Sequence, residues 1–359
     1  MTQKRTVKLD LFPEALGTLA GRQSLTRAAA VLQAGGTVSF ATETVYGLGA
    51  NALDAQAVEG IFLAKQRPAW DPLIVHVSDA VMLECVTSNI SRRCQQLIDA
   101  FWPGPLTLLL PKSTTIPPIV TAGRTLVGVR MPAHPVAQAL IREADVPVAA
   151  PSANRFGHTS PTTAQHVIDD LDGRIDLVLD SGPSWCGIES TVMEVTETSA
   201  ILYRPGAVPV EDIQAIIGPV VLYQTFDIAQ DHIAKPESLP SPGVGMRHYA
   251  PRAVLITVDV DSGDELLQRK LWLQALHRLS TQKSPGVMLP CGWPLPEDYS
   301  GVQYAWGNWQ DHAQLAQNLF AGLRALDGMR AEVILCPLPS RNGMGAAIRD
   351  RLLYAERKN

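Results

Sequence analysis

No stretch of the 359-residue sequence approaches the roughly 18 consecutive apolar residues that a membrane-crossing helix needs, and residues 1–8 carry none of the apolar core of a secretory signal. The expectation is a cytoplasmic protein without membrane contact. Cysteine is scarce. Cys85, Cys94, Cys186, Cys291 and Cys336 are odd in number, far apart and form no C-x-x-C, which argues against a disulfide framework or zinc site and for reduced thiols. Aromatic residues make up only 6% of the chain, so aliphatic side chains and alanine are expected to fill the cores. G-x-x-x-x-G-K-[ST], G-x-S-x-G and H-E-x-x-H are all absent, which leaves a Walker-type nucleotidase, an α/β-hydrolase and a zincin without support.

What is present is a well-folded composition: 46% hydrophobic, 18% charged and a formal net charge of -5, which excludes disorder. The length suits two domains. Residues 1–218 hold four Lys and twelve Arg against 21 acidic residues, and the remainder is balanced, so neither part has the net positive charge of a nucleic-acid binder. The excess of Arg suits bidentate recognition of carboxylates and phosphates, although GC-rich coding would produce the same bias.

Periodicity predicts an α/β chain. Residues 24–36 read as a helix capped by Ser24 and stopped by glycine, ahead of a strand at 37–40. Asp54 and Ser91 cap further helices, and strands are predicted at 73–77, 106–110, 126–130, 146–150, 176–179, 191–195 and 201–204. Many are joined by short loops without a helix, which indicates a mixed parallel/antiparallel sheet. Periodicity fades over 219–252, where Lys235-Pro-Glu-Ser-Leu-Pro-Ser-Pro-Gly reads as a linker. Beyond it, strands at 254–258, 286–289, 302–305 and 332–335 alternate with helices at 264–280, 311–327 and 345–356, the pattern of a small Rossmann-like parallel sheet. The expected domains are therefore 1–218 and 253–359.

Polar residues gather at strand ends, where open α/β sheets bind ligands. Ala41-Thr-Glu-Thr-Val-Tyr-Gly-Leu-Gly-Ala-Asn reads as a strand entering a turn whose glycines allow close approach to a ligand, or as an ordinary strand-to-helix connection. Lys65-Gln-Arg-Pro finishes a helix with two cations, which the helix dipole also favours, and the next strand presents His76 as a ligand or as a core histidine. Arg130 ends a strand otherwise too apolar for a charge, so it needs an anion, either an internal carboxylate or one from a substrate. Ala149-Ala-Pro-Ser-Ala-Asn and Ser160-Pro-Thr suit phosphate oxygens and a ribose, or simply turn the chain. With Thr42, Thr121, Ser152, Ser160 and Ser190 as hydroxyls and Lys65, Arg67, Arg130 and Arg204 as cations, the inventory is a polyanion pocket without a covalent nucleophile. That is the kind of site used in phosphoryl and nucleotidyl transfer.

Taken in order, Thr42-Glu-Thr-Val-Tyr-Gly-Leu-Gly, Lys65-x-Arg-Pro, Pro72-Leu-Ile-Val-His, Trp102-Pro-Gly-Pro-Leu-Thr, Val129-Arg-Met-Pro, Ala150-Pro-Ser-Ala-Asn, Glu189-Ser-Thr-Val and Arg204-Pro-Gly resemble the Sua5/YrdC/YwlC family over about residues 20–215. Ser241-Pro-Gly, His248-Tyr-Ala-Pro and the α/β tail resemble its long, two-domain Sua5 form. The resemblance implies a YrdC-like twisted sheet with a concave ligand cavity and the activity of a threonylcarbamoyl-AMP synthase. Such a nucleotidyltransferase joins L-threonine, bicarbonate or CO2 and ATP, with Mg2+, and releases pyrophosphate; its product passes to the machinery that installs t6A in tRNA. By the same resemblance, Thr42, His76, Arg130, the Ala150 backbone and Ser190 surround L-threonine. Lys65, Arg67, Asp71, Thr121, Ser152, Asn154, Ser160, Arg204 and Tyr249 surround ATP, with Lys65 and Arg67 catalytic through charge neutralisation. Arg247-His-Tyr matches a segment expected to close as a lid over the pocket.

Three positions depart from the family pattern: Ala41 replaces a usual proline, Asp71 a usual asparagine, and Met246 a frequent aromatic. Asp71 matters most, because a carboxylate beside ATP repels phosphate unless it binds Mg2+ or pairs with Arg67. In the tail, Asn342-Gly-Met-Gly reads as a nucleotide turn or as a tight packing turn. Two rival readings are weaker. The net charge predicts weak or absent direct tRNA binding, against an RNA-binding module, and the missing C-x-x-C argues against a hydrogenase-maturation type of carbamoyl transferase.

Overall fold

The computed structural model describes residues 5–223, 239–241, 249–279 and 284–356. The chain divides into two units, one of Met1–Phe156, Pro161–Trp185 and Glu189–Gly245, the other of Gly157–Ser160, Cys186–Ile188 and Met246–Asn359.

In the first unit eleven strands make one mixed sheet: β1 Val7–Asp10, β2 Val38–Phe40, β3 Gly47–Asn51, β4 Ile74–His76, β5 Leu106–Pro111, β6 Leu126–Arg130, β7 Val148–Ala149, β8 Leu177–Asp180, β9 Thr191–Val195, β10 Ala200–Arg204 and β11 Val221–Leu222. Their spatial order is β1-β8-β2-β3-β7-β4-β6-β5-β9-β10-β11. Three ladders position the site. β4 and β6 run parallel with His76 opposite Arg130. β5 runs antiparallel to β6 and parallel to β9, with Leu106 opposite Thr191. β10 returns antiparallel to β9. The ends of β4, β6 and β10 and the start of β9 therefore fall on one edge of the sheet, which gathers His76, Arg130, Ser190 and Arg204 from four strands.

The helices that flank these strands start where their caps dictate. Asp54 accepts from the Gln56 and Ala57 amides ahead of helix Ala55–Lys65, and Ser91 accepts from the Cys94 amide ahead of Arg92–Phe101, as expected. The first helix is Leu19–Gln33, so Ser24 is not its cap; the Thr18 hydroxyl, accepting from the Gly21 amide, captures the helix start a turn and a half earlier. The glycines after Thr42 also need correction. They lie in β3, and a Cβ on Gly49 would stand 2.7 Å from Val148 Cγ1 and 2.8 Å from Phe40 Cε1, so that glycine serves sheet packing rather than approach to a ligand.

In the second unit β12 Val254–Asp259, β13 Pro285–Pro290, β14 Val302–Gly307 and β15 Val333–Leu338 pair in the order β12-β15-β13-β14, all parallel. Helices Glu265–Leu279, His312–Gly328 and Gly343–Glu356 follow β12, β14 and β15, and β13 runs to β14 without a helix. This is the small parallel sheet expected from the tail. Its core is less aliphatic than composition suggested. Trp272, Trp293, Trp309 and Trp306 form a chain of ring contacts with centroids 5.7, 4.7 and 6.2 Å apart. The Asn342-Gly-Met-Gly segment behaves as a packing turn, since a Cβ on Gly345 would meet the Ser340 carbonyl oxygen at 2.5 Å. Cys85, Cys94, Cys291 and Cys336 are free thiols. No helix among the described residues is long and apolar enough to cross a membrane.

Candidate active site

The loop from Ala41 to Tyr46 is fixed at both of its ends by the segment 181–184. Tyr46, fully buried, donates its hydroxyl to the Gly182 carbonyl at 2.7 Å and accepts from the Ser181 amide, while the Ser184 hydroxyl donates to the Thr42 carbonyl at 2.8 Å. The anchored loop delivers two side chains, Glu43 and Thr44, to Arg130. Its Nε donates to the Gly104 carbonyl at 3.3 Å, its NH1 donates to Thr44 Oγ1 at 2.9 Å, and its NH2 stands 2.7 Å from Glu43 Oε1. Thr44 in turn meets Thr42 Oγ1 at 2.8 Å, and Thr42 donates to the Val45 carbonyl at 2.6 Å. Of the two partners open to Arg130 from sequence, the internal carboxylate is present.

His76, across the ladder from Arg130, is buried. Burial first, and the charge of Arg130 second, push its pKa down to about 3, so the imidazole is neutral. Ser190 completes this edge. Its hydroxyl lies 2.8 Å from Thr107 Oγ1, and Arg204 donates from NH2 to the Ser190 carbonyl at 3.0 Å and hydroxyl at 3.2 Å. The Ala150 amide is used within the sheet, donating to the Ile74 carbonyl at 2.8 Å.

A second cluster is cationic. Lys65 ends its helix, Gln66 adopts the left-handed conformation that stops it (φ 56°), and the ammonium turns inward. It donates to the Ser152 carbonyl at 2.6 Å, to the Asn154 carbonyl, and to Asn154 Oδ1 at 3.2 Å. Ser152 also donates to Asn154 Oδ1, at 2.5 Å. Burial, reinforced by the neighbouring Arg67 charge, holds the Lys65 pKa well below its ordinary value. Arg67 binds the Asp71 and Pro72 carbonyls at 3.1 and 2.8 Å and pairs with Asp71 Oδ1 at 2.9 Å, both side chains buried. Burial pushes the Asp71 carboxyl up, opposed by the charges of Arg67, Lys65 and Arg204. Asp71 thus takes the pairing with Arg67 that its position called for. No group of three or more His, Cys, Asp and Glu gathers among the described residues. These side chains do not fit a magnesium cage built by the protein.

The remaining predicted residues are more dispersed. Thr121, buried, donates to the Arg124 carbonyl at 2.9 Å. Ser160, also buried, groups with the second unit. In that unit Tyr249 is buried with its ring 5.9 Å from Phe320 and the Arg351 guanidinium 5.0 Å above it. Arg247, His248 and Met246 lie outside the described residues. Sequence reasoning did not single out Glu43, or His134, which caps helix Pro135–Ala144, stacks on Trp185 with centroids 5.2 Å apart, and is pushed down to about 4 by burial. Glu43 stood inside a quoted motif, and the demand of Arg130 for an anion was the signal that could have found it.

Residues 30–206 match the family described as telomere recombination (Sua5_yciO_yrdC), and residues 208–355 match the threonylcarbamoyl-AMP synthase C-terminal domain. The chain is 40% identical over 328 residues to the threonylcarbamoyl-AMP synthase of Pyrococcus abyssi, covering 91% of this chain and 92% of that one. It is 40% identical over 337 residues to that of Bacillus subtilis, covering 92% of each. The chain belongs to the Sua5 family. As a Sua5-family chain it is an enzyme of the nucleotidyltransferase type, with relatives named as threonylcarbamoyl-AMP synthases in an archaeon and a bacterium. The crystal structure of P. abyssi Sua5 complexed with L-threonine matches the fold with a TM-score of 0.86 and 36% identity, covering 98% of both chains.

Proposed function

We propose that this Sua5-family enzyme condenses L-threonine, bicarbonate or CO2 and ATP into threonylcarbamoyl-AMP and pyrophosphate, the adenylate then supplying the t6A modification of tRNA. The observation that carries the reading is the juxtaposition at one sheet edge of Arg130, His76 and Ser190 with Arg204, whose charge reaches the Lys65, Arg67 and Asp71 cluster. A site for a small carboxylate thus adjoins one for a polyanion. L-Threonine bound to the P. abyssi relative supports the first half.

In this reading Arg130 holds the threonine carboxylate, Thr42 and Ser190 meet its polar groups, and neutral His76 contributes a hydrogen bond without added charge. The threonine amine takes up CO2 to give a carbamate, and a carbamate oxygen attacks the α-phosphorus of ATP in line while the bond to the bridging oxygen of pyrophosphate breaks. Lys65, Arg67 and Arg204 bind the phosphates, and a polyphosphate beside Lys65 favours its charged form. Thr121, Ser152, Asn154, Ser160 and Tyr249 are assigned to ATP on the same terms. Any magnesium would have to be brought by the nucleotide, since the described carboxylates build no site for it. Burial of the polar groups keeps water from a labile mixed anhydride. The enzyme is expected in the cytoplasm.

Pyrophosphate release from ATP, with threonine and bicarbonate each supplied or omitted and the adenylate identified by mass, tests this. Release that requires both and yields threonylcarbamoyl-AMP is expected; release independent of threonine overturns the reading.

A further inference from the structure

Arg130 donates hydrogen bonds from Nε to the Gly104 carbonyl and from NH1 to Thr44, while its NH2 faces Glu43 as an ion pair at 2.7 Å without a hydrogen bond of good geometry. Glu43 is the anchor that carries charge. Its side chain is 1% exposed, and among the described residues neither carboxylate oxygen receives a hydrogen bond, so the ion pair with Arg130 is its compensation. The other titratable groups near this pair, His76 and His134, are neutral near pH 7, being pushed down to about 3 and about 4 by burial. Arg130 and Glu43 therefore make one buried positive and one buried negative charge in direct contact, while the charge of Arg204, which is bonded to Ser190, bears on Asp71. The cluster around Lys65 differs, with Arg67 and Arg204 facing Asp71.

These two balances suit different ligands. A net-positive cluster suits polyphosphate. A compensated pair suits a ligand that itself carries no net charge, because in a low-dielectric setting an anion bound to Arg130 also feels Glu43, and only an ammonium on the same ligand offsets that repulsion. We infer that Glu43 is a positioning and selectivity residue, which fixes the Arg130 guanidinium and, by cancelling its charge, makes the pocket accept a zwitterionic amino acid in preference to a plain carboxylate. This rests on the threonine reading above.

Calorimetric titration of the full-length protein and of Glu43→Gln, with L-threonine and with 3-hydroxybutyrate, which lacks the amine, tests the inference. Wild type should bind 3-hydroxybutyrate about a hundredfold more weakly than threonine, and Glu43→Gln should narrow that ratio at least about tenfold by losing threonine affinity while keeping or gaining affinity for the anion. Glu43→Asp, which keeps the charge, should retain the wild-type preference. A merely structural role would weaken both ligands by the same factor, and an unchanged ratio overturns the proposal. Comparable binding of the two ligands by wild type overturns it as well, and does so even if Glu43→Gln fails to fold. Absence of threonine binding to wild type is a different outcome, and it refutes the functional reading itself.

Discussion

His76 and Arg130 are direct partners across the parallel ladder of β4 and β6, and each carries its polar group into an interior with almost no exposed surface. An imidazole so placed is neutral because both burial and the adjacent guanidinium oppose its protonation.

That neutrality has a stability signature. In the unfolded chain His76 takes a proton near its ordinary value of 6.5, whereas in the folded chain it does so only at about 3. Between those values the unfolded state binds the extra proton, so stability is unaffected above pH 6.5 and falls as the pH drops below it, by about 1.4 kcal/mol per pH unit for one group. His134 adds to the loss down to about pH 4. Thermal denaturation from pH 8 to 4 should show this slope, and His76→Asn should flatten it.

Lys65 spans the Ser152 and Asn154 carbonyls, so it shapes the loop as well as its charge. Lys65→Met should weaken ATP by about 1.5–3 kcal/mol, seen as a rise in the KM for ATP. Threonine affinity, governed by the Arg130 edge, should stay near that of wild type. Equal weakening of both substrates would contradict the division into two clusters.

Asp71 compensates a buried guanidinium. Asp71→Ala removes the buried carboxylate that pairs with Arg67 at 2.9 Å and should cost about 3–5 kcal/mol in urea unfolding. Asp71→Asn, which keeps a polar group of the same size beside Arg67, should cost less.

Two glycines give a matched pair for packing. Gly49→Ala forces a methyl against Val148 and Phe40 and should destabilise the protein by about 1–3 kcal/mol. Gly60→Ala, inside helix Ala55–Lys65, would make an ordinary 3.5 Å contact with Thr37 Cγ2 and should stabilise by about 0.5–1 kcal/mol. Melting temperatures that moved in the same direction would refute the packing argument.

Legibility in the sequence followed the range of the interaction. Asp54 and Ser91 announce their helices because a cap acts within three residues, and the tail reads correctly because alternating strands and helices impose a local period. Ser24 misled because Thr18 offers an equally good cap earlier, and the choice depends on where the chain packs. β3 hid behind its glycines, which its tight packing against Phe40 and Val148 requires. At the site, the residue types pointed to anion binding, but the pairing of Glu43 with Arg130 joins positions far apart in the chain and is set by the ladders rather than by any local pattern.

The same long-range construction bears on how the protein is made. β1 and β2 both align on β8, with Val7 and Val38 each opposite Leu177. On the ribosome these two strands emerge well before their shared partner, an interval on the order of ten seconds at ordinary elongation rates. Ser190 and Arg204 follow later still, so the pocket is among the last features of the first unit to form. The period of greatest exposure to aggregation thus falls within translation, before residue 204 has left the exit tunnel.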